Sequence, residues 1–419
     1  MRIDDSGPFA LACVWFGAAV SMAEIATGAL LADSEPALGM AAIVAGHLFG
    51  AALIFAAAWI SWKRKENAIE VCGGTFGALG PRLFGILNVV QLVGWTAVMI
   101  VVGARSMDTV AVTAFGIRAE IAWRLAIGII VLAVAIAGFG RMGAVGVISV
   151  AALACLCALL SAAVFFPGFL PGTRLEPIAA PAIGQAAPPV RMPFGDALEL
   201  AVIMPLSWLP LVGDYVKGAK RGRRSCLSAA LAYTAGGVWM YSLGFFSARL
   251  RGNADPVGLL GGALALPALA VVLLSTVTTA FLDVRSAGIS LSTAAPPAGP
   301  GFGTIASGLL GIALALVAPV ERYETFLAFI GSVFAPLYAV IFAEDAIARY
   351  IPPSRSGRSM PRAFAAFGCW AAGVLLYVLI SSRPTPLGAT IPVMAAVSLA
   401  YCLLRIGGLK WEAFRASKA

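Results

Sequence analysis

The chain has 419 residues, of which 60% are hydrophobic and only 12% are charged. This composition excludes an ordinary soluble domain and indicates a protein that crosses a membrane several times. The formal net charge is +9, but the basic residues lie mainly between the apolar runs, where they orient a membrane protein, so the charge does not indicate a nucleic-acid partner.

Apolar runs long enough to cross a bilayer, about 20 residues each, follow one another along the whole chain. They predict twelve membrane-spanning helices, at about residues 9–32, 38–62, 83–105, 121–139, 143–166, 194–215, 226–247, 260–282, 304–320, 323–345, 363–381 and 388–405. If the N-terminus is inside, the inner loops contain most of the Lys and Arg residues. The sequence therefore predicts a multi-pass protein of the cell's inner membrane with both termini in the cytoplasm.

The longest non-helical stretch, residues 167–193, separates five spans from the next five. Because five is an odd number, the two halves have opposite orientations, which is the condition for an inverted repeat. The predicted organisation is a first repeat at 1–166, an extracellular linker at 167–193, a second repeat at 194–350, and two peripheral helices with a cytoplasmic tail at 351–419. The sequence indicates no oligomeric state.

The first span contains polar and ionisable residues at bilayer depth, namely Gly17, Ser21, Glu24, Thr27 and Gly28. A carboxylate there costs roughly 2.5 kcal/mol or more and usually faces a cavity or a partner. Such a segment indicates a helix that breaks around a ligand. Glu24 has three possible roles: substrate contact through two parallel hydrogen bonds to an aminopyrimidine, proton coupling, or pairing with backbone donors of the broken helix.

The sixth span contains two prolines, Pro205 and Pro210, which remove backbone donors and clash with preceding carbonyls. Freed carbonyls in lipid must be satisfied by protein, water or ligand. A simple proline kink is the alternative, but interruptions at corresponding positions of the two halves favour a binding site. Between the prolines, Ser207 can donate and accept a hydrogen bond, and Trp208 either closes an aromatic slot or packs against a neighbour.

Gln91 and Trp95 are four residues apart and share one face of the third span. An aromatic surface suits a planar heterocycle, and an amide supplies both a donor and an acceptor. The alternative is a lipid-facing Trp with a Gln that packs against another helix. His47, the only histidine, is expected to pack within the second span, with a proton relay as its alternative role.

The eighth span contains a run of hydroxyl side chains from Ser275 to Thr279. Sodium takes oxygen ligands, which Thr278 and Thr279 could supply together with carbonyls freed in the first span. The alternative is that these hydroxyls bond carbonyls of their own helix. Asp283 shares a face with Thr279 and either supports this site or lies at the helix end.

Four segments resemble the nucleobase–cation symporter-1 family, and most closely its predicted hydroxymethylpyrimidine transporters. They are residues 15–28, 91–95, 205–215 and 275–283, in family order over the first eight spans. The resemblance implies an all-α fold with a five-plus-five, leucine-transporter-like inverted-repeat core and two peripheral helices. It also implies uptake of a small heterocycle driven by a cation gradient, with no cofactor besides the coupling ion, Na⁺ or H⁺.

The resemblance to cytosine permeases implies roles for individual residues. Gly17 and Ser21 fall in the unwound part of the first span, where backbone groups contact substrate or cation. Trp95 matches the tryptophan that stacks on the ring. Ser207 and Ser275 match positions that hydrogen-bond the base, and the pair Thr278 and Thr279 matches the hydroxyls of the sodium site.

Three departures argue against plain cytosine as the substrate. Cytosine permeases have an asparagine where Ser275 stands, and their third-span glutamine precedes the tryptophan by three residues, whereas Gln91 precedes Trp95 by four. Glu24 has no acidic counterpart in them.

The functional prediction is a secondary importer of a pyrimidine-like thiamine precursor, hydroxymethylpyrimidine, by cation symport with alternating access. The predicted substrate-binding residues are Ser21, Glu24, Gln91, Trp95, Ser207, Trp208 and Ser275, and the hypothetical sodium ligands are Gly17, Thr278 and Thr279. A cytosine, purine or hydantoin symporter is the alternative within the family. An enzyme or a channel is the alternative of another class, but the runs show neither a catalytic constellation nor a repeated filter motif.

Overall fold

The computed structural model describes residues 7–137, 143–166, 191–252, 257, 264–317, 323–350 and 360–416. Most of the predicted linker, residues 167–190, lies outside these ranges. Within them the chain forms fifteen α-helices and no strand. They are α1 (Pro8–Ala19), α2 (Met22–Leu30), α3 (Pro36–Arg64), α4 (Gly73–Phe76), α5 (Leu79–Phe115), α6 (Glu120–Ala137), α7 (Gly143–Phe165), α8 (Phe194–Ser207), α9 (Leu209–Val216), α10 (Gly222–Arg251), α11 (Ala265–Ala294), α12 (Gly299–Val317), α13 (Tyr323–Tyr350), α14 (Met360–Ser381) and α15 (Thr390–Ala416).

Each predicted span coincides with one helix or one pair of helices. Over the described ranges, nine helical segments are long and apolar enough to cross a membrane, or ten when the bent pair α1 and α2 is counted. The predicted fifth and seventh spans fall on α7 and α10, which are not among them. The lower hydropathy of α10 has a structural reason, because it buries Tyr233, Thr234 and Tyr241 inside the bundle.

Several helices extend beyond their predicted ends. The third span was expected at 83–105, but α5 covers Leu79–Phe115, and the eighth was expected to end near 282, but α11 continues to Ala294. Hydropathy marks only the stretch that matches the lipid thickness, whereas the helical backbone continues through polar residues at either end. The fold therefore places Asp283 inside a helix rather than at its end.

The second span begins at a well-defined cap. Pro36 occupies the first turn of α3, where its missing N–H is not needed. The Glu35 carboxylate accepts a hydrogen bond from the Leu38 backbone N–H at 2.9 Å. Hydrogen bonds from the backbone of Leu38 and Ala37 hold the pKa of Glu35 below its usual value, since they favour the charged form.

Within the core, α10 crosses α2 with almost no side chain between them. A Cβ at Gly28 would lie 2.5 Å from the Tyr241 Cα atom, and one at Gly244 would lie 2.9 Å from the Ala29 nitrogen. Both positions therefore require glycine. This close approach fixes α2, the second half of the first span, against the seventh span.

The helices α14 and α15 lie at the edge of the bundle, where many of their apolar side chains are exposed. Glu199 of α8 attaches them. Its carboxylate accepts hydrogen bonds from Tyr377 Oη and Thr390 Oγ1, each at 2.7 Å, and from the backbone N–H groups of Ala389 and Thr390, each at 2.8 Å. The peripheral pair is thus joined to the sixth span through one partly buried carboxylate.

Candidate functional site

The first span is broken between α1 and α2, as the sequence predicts. The two segments are bent by 52°, and Ser21 is extended, with φ −132° and ψ 154°. The Ser21 N–H donates to the Ala19 carbonyl at 2.9 Å rather than to Gly17, four residues earlier. Ser21 Oγ in turn accepts from the Glu24 N–H at 3.2 Å, which caps α2. The break therefore frees carbonyls and positions Glu24 in a first helical turn.

The sixth span is interrupted less than predicted. The segments α8 and α9 meet at Trp208, which keeps a right-handed helical backbone with φ −85° and ψ −12°. Pro210 is tolerated because it lies in the first turn of α9, where a missing N–H is not needed. The predicted interruption of this span is therefore present as a local break at one residue, between α8 and α9.

The carbonyls near this break are bound by side chains of α5. Gln91 Nε2 donates to the Ser207 carbonyl at 2.7 Å, and Asn88 Nδ2 donates to the Pro210 carbonyl at 3.0 Å. Asn88 Nδ2 also donates to Ser290 Oγ at 2.8 Å. The amides of the third span thus stabilise the broken sixth span, as the bilayer requires for unpaired backbone groups.

A small cavity lies between the two broken spans. Its lining residues are Ser21, Glu24, Trp95, Met99, Met204, Ser207, Trp208, Leu211 and Asp283. Its volume is about 10 Å³, which is roughly the space for one water molecule. The structure therefore shows a nearly closed state in which the site must widen before a ring can enter.

Five predicted substrate residues meet at this cavity: Ser21, Glu24, Trp95, Ser207 and Trp208. Trp95 is 4% exposed and forms one wall. Its ring packs edge-on against Tyr323 and Phe326, with centroid distances of 6.1 and 5.4 Å. These contacts hold the indole in one orientation, while its Nε1 atom has no hydrogen-bond partner.

Glu24 is the most buried ionisable group of the lining, with 1% exposure. Tyr233 of α10 donates a hydrogen bond to Glu24 Oε1. The other oxygen, Oε2, has no hydrogen-bond partner and lies 4.0 Å from His47 Nε2. One oxygen of the carboxylate is therefore fixed, and the other remains an available acceptor.

Trp208 packs within an aromatic cluster beside the cavity. Its ring contacts Trp15 edge-on at 5.5 Å and Tyr233 at 5.9 Å. Trp208 thus both lines the cavity and packs against neighbours, so the two roles considered for it coexist. Ser207 Oγ donates to the Met204 carbonyl at 2.6 Å and keeps its lone pairs.

Gln91 and Ser275 do not line the cavity. The Gln91 amide group is used at the break in the sixth span, and its Oε1 atom is buried without a partner. Ser275 Oγ donates to the Val20 carbonyl at 2.6 Å, directly at the break in the first span. In this closed state both side chains support the breaks, and their predicted substrate contacts stay predictions.

Asp283 is a site residue that the prediction did not include. It is 2% exposed, lines the cavity, and its Oδ2 atom has no hydrogen-bond partner. A carboxylate in this position is unfavourable unless a ligand or a proton compensates it. Its place in the site could have been found from the sequence, because Asp283 shares a helix face with Thr279.

The hypothetical sodium ligands Thr278 and Thr279 lie on α11, about one helical turn beyond Ser275, whose hydroxyl bonds Val20 at the break in the first span. Thr279 Oγ1 donates to the Ser275 carbonyl at 3.0 Å, and Thr278 Oγ1 donates to the Leu274 carbonyl at 2.8 Å. A hydroxyl that donates to its own helix keeps its lone pairs for a cation. The Gly17 carbonyl lacks its helical donor, because the Ser21 N–H bonds Ala19 instead. The grouping of these three oxygens as a cation site stays a prediction. In the described part of the chain, no group of three His, Cys, Asp or Glu side chains could hold a metal ion.

Comparison with known proteins identifies the family. The family model described as "Permease for cytosine/purines, uracil, thiamine, allantoin" matches residues 4–354. The chain belongs to this permease family. It is therefore a membrane transporter of the nucleobase type and not an enzyme, and the predicted family is confirmed at that level.

Two solved structures of Mhp1, a nucleobase–cation symport-1 family transporter, share the fold of this permease. The closed form with bromovinylhydantoin bound has a TM-score of 0.76 and 18% sequence identity, over 98% of this chain and 93% of that chain. The inward-facing form has a TM-score of 0.74 and 19% identity, over 98% and 91% of the two chains. These similarities confirm the predicted polytopic all-α transporter fold.

A more distant structural neighbour of the permease is a point mutant of the manganese transporter of Eremococcus coleocola. It has a TM-score of 0.52 and 12% identity, over 98% of this chain and 94% of that chain. No match is found among curated proteins. The family assignment therefore rests on the family model, and the similarity of fold rests on the structural neighbours.

Proposed function

We propose that this permease imports a hydroxymethylpyrimidine-like aminopyrimidine by cation symport with alternating access. The observation that carries the proposal is the composition of the cavity, where the Trp95 ring faces a lining that includes Glu24 and Asp283. An aromatic wall suits a planar ring, and carboxylate oxygens accept hydrogen bonds. The site is therefore adapted to a flat ligand that carries several N–H donors.

The two unpartnered carboxyl groups suit an aminopyrimidine. Glu24 Oε2 and Asp283 Oδ2 are both buried without hydrogen-bond partners. A carboxyl that carries one proton would pair with an aminopyrimidine through two parallel bonds, because its O–H donates to a ring nitrogen and its other oxygen accepts from the amine substituent. Cytosine, purines and hydantoins also carry N–H donors, and they are the alternatives that competition must test.

Uptake into proteoliposomes tests the proposal directly. The purified permease is reconstituted, and accumulation of radiolabelled 4-amino-5-hydroxymethyl-2-methylpyrimidine is followed under an inward Na⁺ or H⁺ gradient. We expect saturable accumulation above the equilibrium level, competed by the unlabelled compound better than by cytosine, adenine or hydantoin. An absence of gradient-driven accumulation for every one of these compounds would contradict an import function.

The cation site has its own test in the hydroxyls of α11. We expect Thr279→Val to raise the Na⁺ concentration for half-maximal uptake about tenfold, because one oxygen ligand is lost at a cost of roughly 1.4 kcal/mol. Thr293→Val is the matched control, since Thr293 Oγ1 makes the same bond to the carbonyl four residues earlier, at 3.0 Å, but near the end of α11. Equal effects of the two substitutions would remove Thr279 from the cation site.

A further inference from the structure

His47 of α3 and Glu24 of α2 form a buried pair directly behind the cavity. The His47 Nε2 and Glu24 Oε2 atoms are 4.0 Å apart, and the side chains are 0% and 1% exposed. The position of the imidazole is closely fitted, because a Cβ at Gly237 would lie 2.6 Å from His47 Nε2. The second span thus places His47 next to Glu24, the cavity-lining carboxylate that follows the break in the first span.

The tautomer of His47 follows from its other nitrogen. His47 Nδ1 lies 2.9 Å from the Ile43 carbonyl oxygen, and a carbonyl can only accept a hydrogen bond, so Nδ1 carries a hydrogen. In the neutral ring, Nε2 then presents a lone pair to Glu24 Oε2. Neither atom has a hydrogen-bond partner.

Two buried acceptors that face each other without a hydrogen are unfavourable. A single proton resolves the conflict, because it makes one of the two atoms a donor to the other. A small approach from 4.0 Å would then give a charge-assisted hydrogen bond. The arrangement of Glu24 Oε2 and His47 Nε2 is therefore suited to bind one proton between the two atoms.

The groups around the pair supply no positive charge. Tyr233 donates to Glu24 Oε1, and the Tyr241 ring packs edge-on against His47 at 4.7 Å, both from α10. From α13, Tyr323 reaches Thr27, one helical turn beyond Glu24, with 2.7 Å between the hydroxyl oxygens, and from α11 Asp283 shares the cavity. No described Lys or Arg side chain bonds either member, so a proton is the cation available to the pair.

We propose that Glu24 and His47 form a proton-binding site, in which one exchangeable proton lies between Glu24 Oε2 and His47 Nε2 and is carried with the substrate. Glu24 belongs both to this pair and to the cavity lining, so occupancy of the two sites is linked. The step is proton binding and release alone, with no other bond made or broken. Its role in transport rests on the proposed import function, whereas the proton site itself does not.

The single histidine makes the site directly observable. With ¹⁵N-labelled histidine incorporated into the full-length permease in nanodiscs, the imidazole signals of the protein belong to His47 alone. We expect Nδ1 to remain protonated and the Nε2 signal to move from the lone-pair to the protonated position as the sample is acidified. A neutral ring protonated at Nε2, or an Nε2 signal that does not change on acidification, would overturn the proposal.

A substitution of the carboxylate separates pairing from simple histidine titration. In Glu24→Gln, we expect the protonated Nε2 signal to appear only in more acidic samples than in wild type, because the favourable negative charge is removed. Asp214→Asn is the control, since Asp214 is a carboxylate of the neighbouring sixth span that bonds the Ala68 N–H at 3.1 Å. Equal titrations for wild type and Glu24→Gln would contradict the pairing.

Proteoliposomes test whether the proton is transported. With radiolabelled 4-amino-5-hydroxymethyl-2-methylpyrimidine as the probe, an inward proton gradient should increase initial uptake by wild type, and His47→Gln should abolish the increase. If Nε2 titrates as expected but the gradient leaves wild-type uptake unchanged, the coupling role is wrong while import stands. If no probe accumulates under any gradient, the import function fails and the coupled-proton role fails with it, whereas the titration still decides the proton site.

Discussion

In the proposed site, Trp95 is the residue expected to contribute most to binding of the ring. Its indole lies in the cavity wall and is held by edge-on contacts with Tyr323 and Phe326. We expect Trp95→Ala to weaken binding of the radiolabelled aminopyrimidine about tenfold or more, because stacking and apolar burial are both lost. Trp95→Phe should weaken it less, since an aromatic face remains.

Trp370→Phe is the control for this change. Trp370 lies in the peripheral helix α14, where its Nε1 atom donates to the Val333 carbonyl at 3.0 Å. The control should leave binding unchanged in a scintillation proximity assay. Equal affinities for wild type and Trp95→Ala would place the ring elsewhere.

Replacing Asp283 is expected to raise the stability of the permease and to lower its affinity for the substrate. Its carboxylate is buried with one oxygen unpartnered, so Asp283→Asn removes an unfavourable buried group. We expect the empty permease to gain about 1–3 kcal/mol in stability, seen as a higher Tm, while its affinity for the aminopyrimidine falls. A variant that loses stability and keeps its affinity would show that Asp283 has a structural role.

At the residue scale, the polar positions inside apolar runs could be found from the sequence. Ser21, Glu24 and Ser207 stand out because lipid-exposed helices rarely contain such residues. The pairing of Glu24 with His47 could not be found, because it depends on how two spans rotate about their axes. Hydropathy does not specify that rotation.

At the element scale, the break in the first span is intrinsic to residues 17–28, but the shape of the sixth span depends on its neighbours. Pro205 and Pro210 indicate an interruption, yet Trp208 stays helical. Gln91 and Asn88 bind the exposed carbonyls, so the chain need not unwind to satisfy them. These partners come from α5, and the local sequence of the sixth span does not contain them.

The close approach of α2 and α10 can be tested by a substitution that adds one methyl group between them. In Gly244→Ala the new Cβ would meet the Ile25 carbonyl, and we expect a loss of about 1–3 kcal/mol in unfolding free energy, because the helices must separate. Gly301→Ala in α12 is the matched control, since no atom lies within 4 Å of its Cβ position. Thermal unfolding in detergent measures both, and equal Tm values would contradict the close crossing.

Glu199 is one of the residues that attach the peripheral helices to the bundle. Glu199→Gln should destabilise the permease by about 2–3 kcal/mol, because charge-assisted bonds to Tyr377 and the start of α15 are weakened. Glu324→Gln, on an exposed residue of α13, should change stability by no more than about 0.5 kcal/mol. Thermal unfolding compares them, and limited proteolysis should show earlier release of α14 and α15 in the Glu199 variant alone.

At the scale of the whole molecule, the positions of the helices follow from hydropathy, because each span must satisfy its own backbone in lipid. The five-plus-five division rests on counting alone and stays a prediction. The conformational state does not follow from hydropathy, since it reflects the packing of the two broken spans around a cavity of about 10 Å³. Alternating access requires this cavity to widen toward one side at a time.

The central claim is that a planar ring lies between the two broken spans, against Trp95. A cryo-EM structure of the permease with the aminopyrimidine bound tests it most directly. The account predicts flat density parallel to the Trp95 indole, within hydrogen-bond distance of Glu24 or Asp283, with α1 and α2 still separated at Ser21. Ring density outside this cavity, or a continuous helix through Ser21, would contradict it.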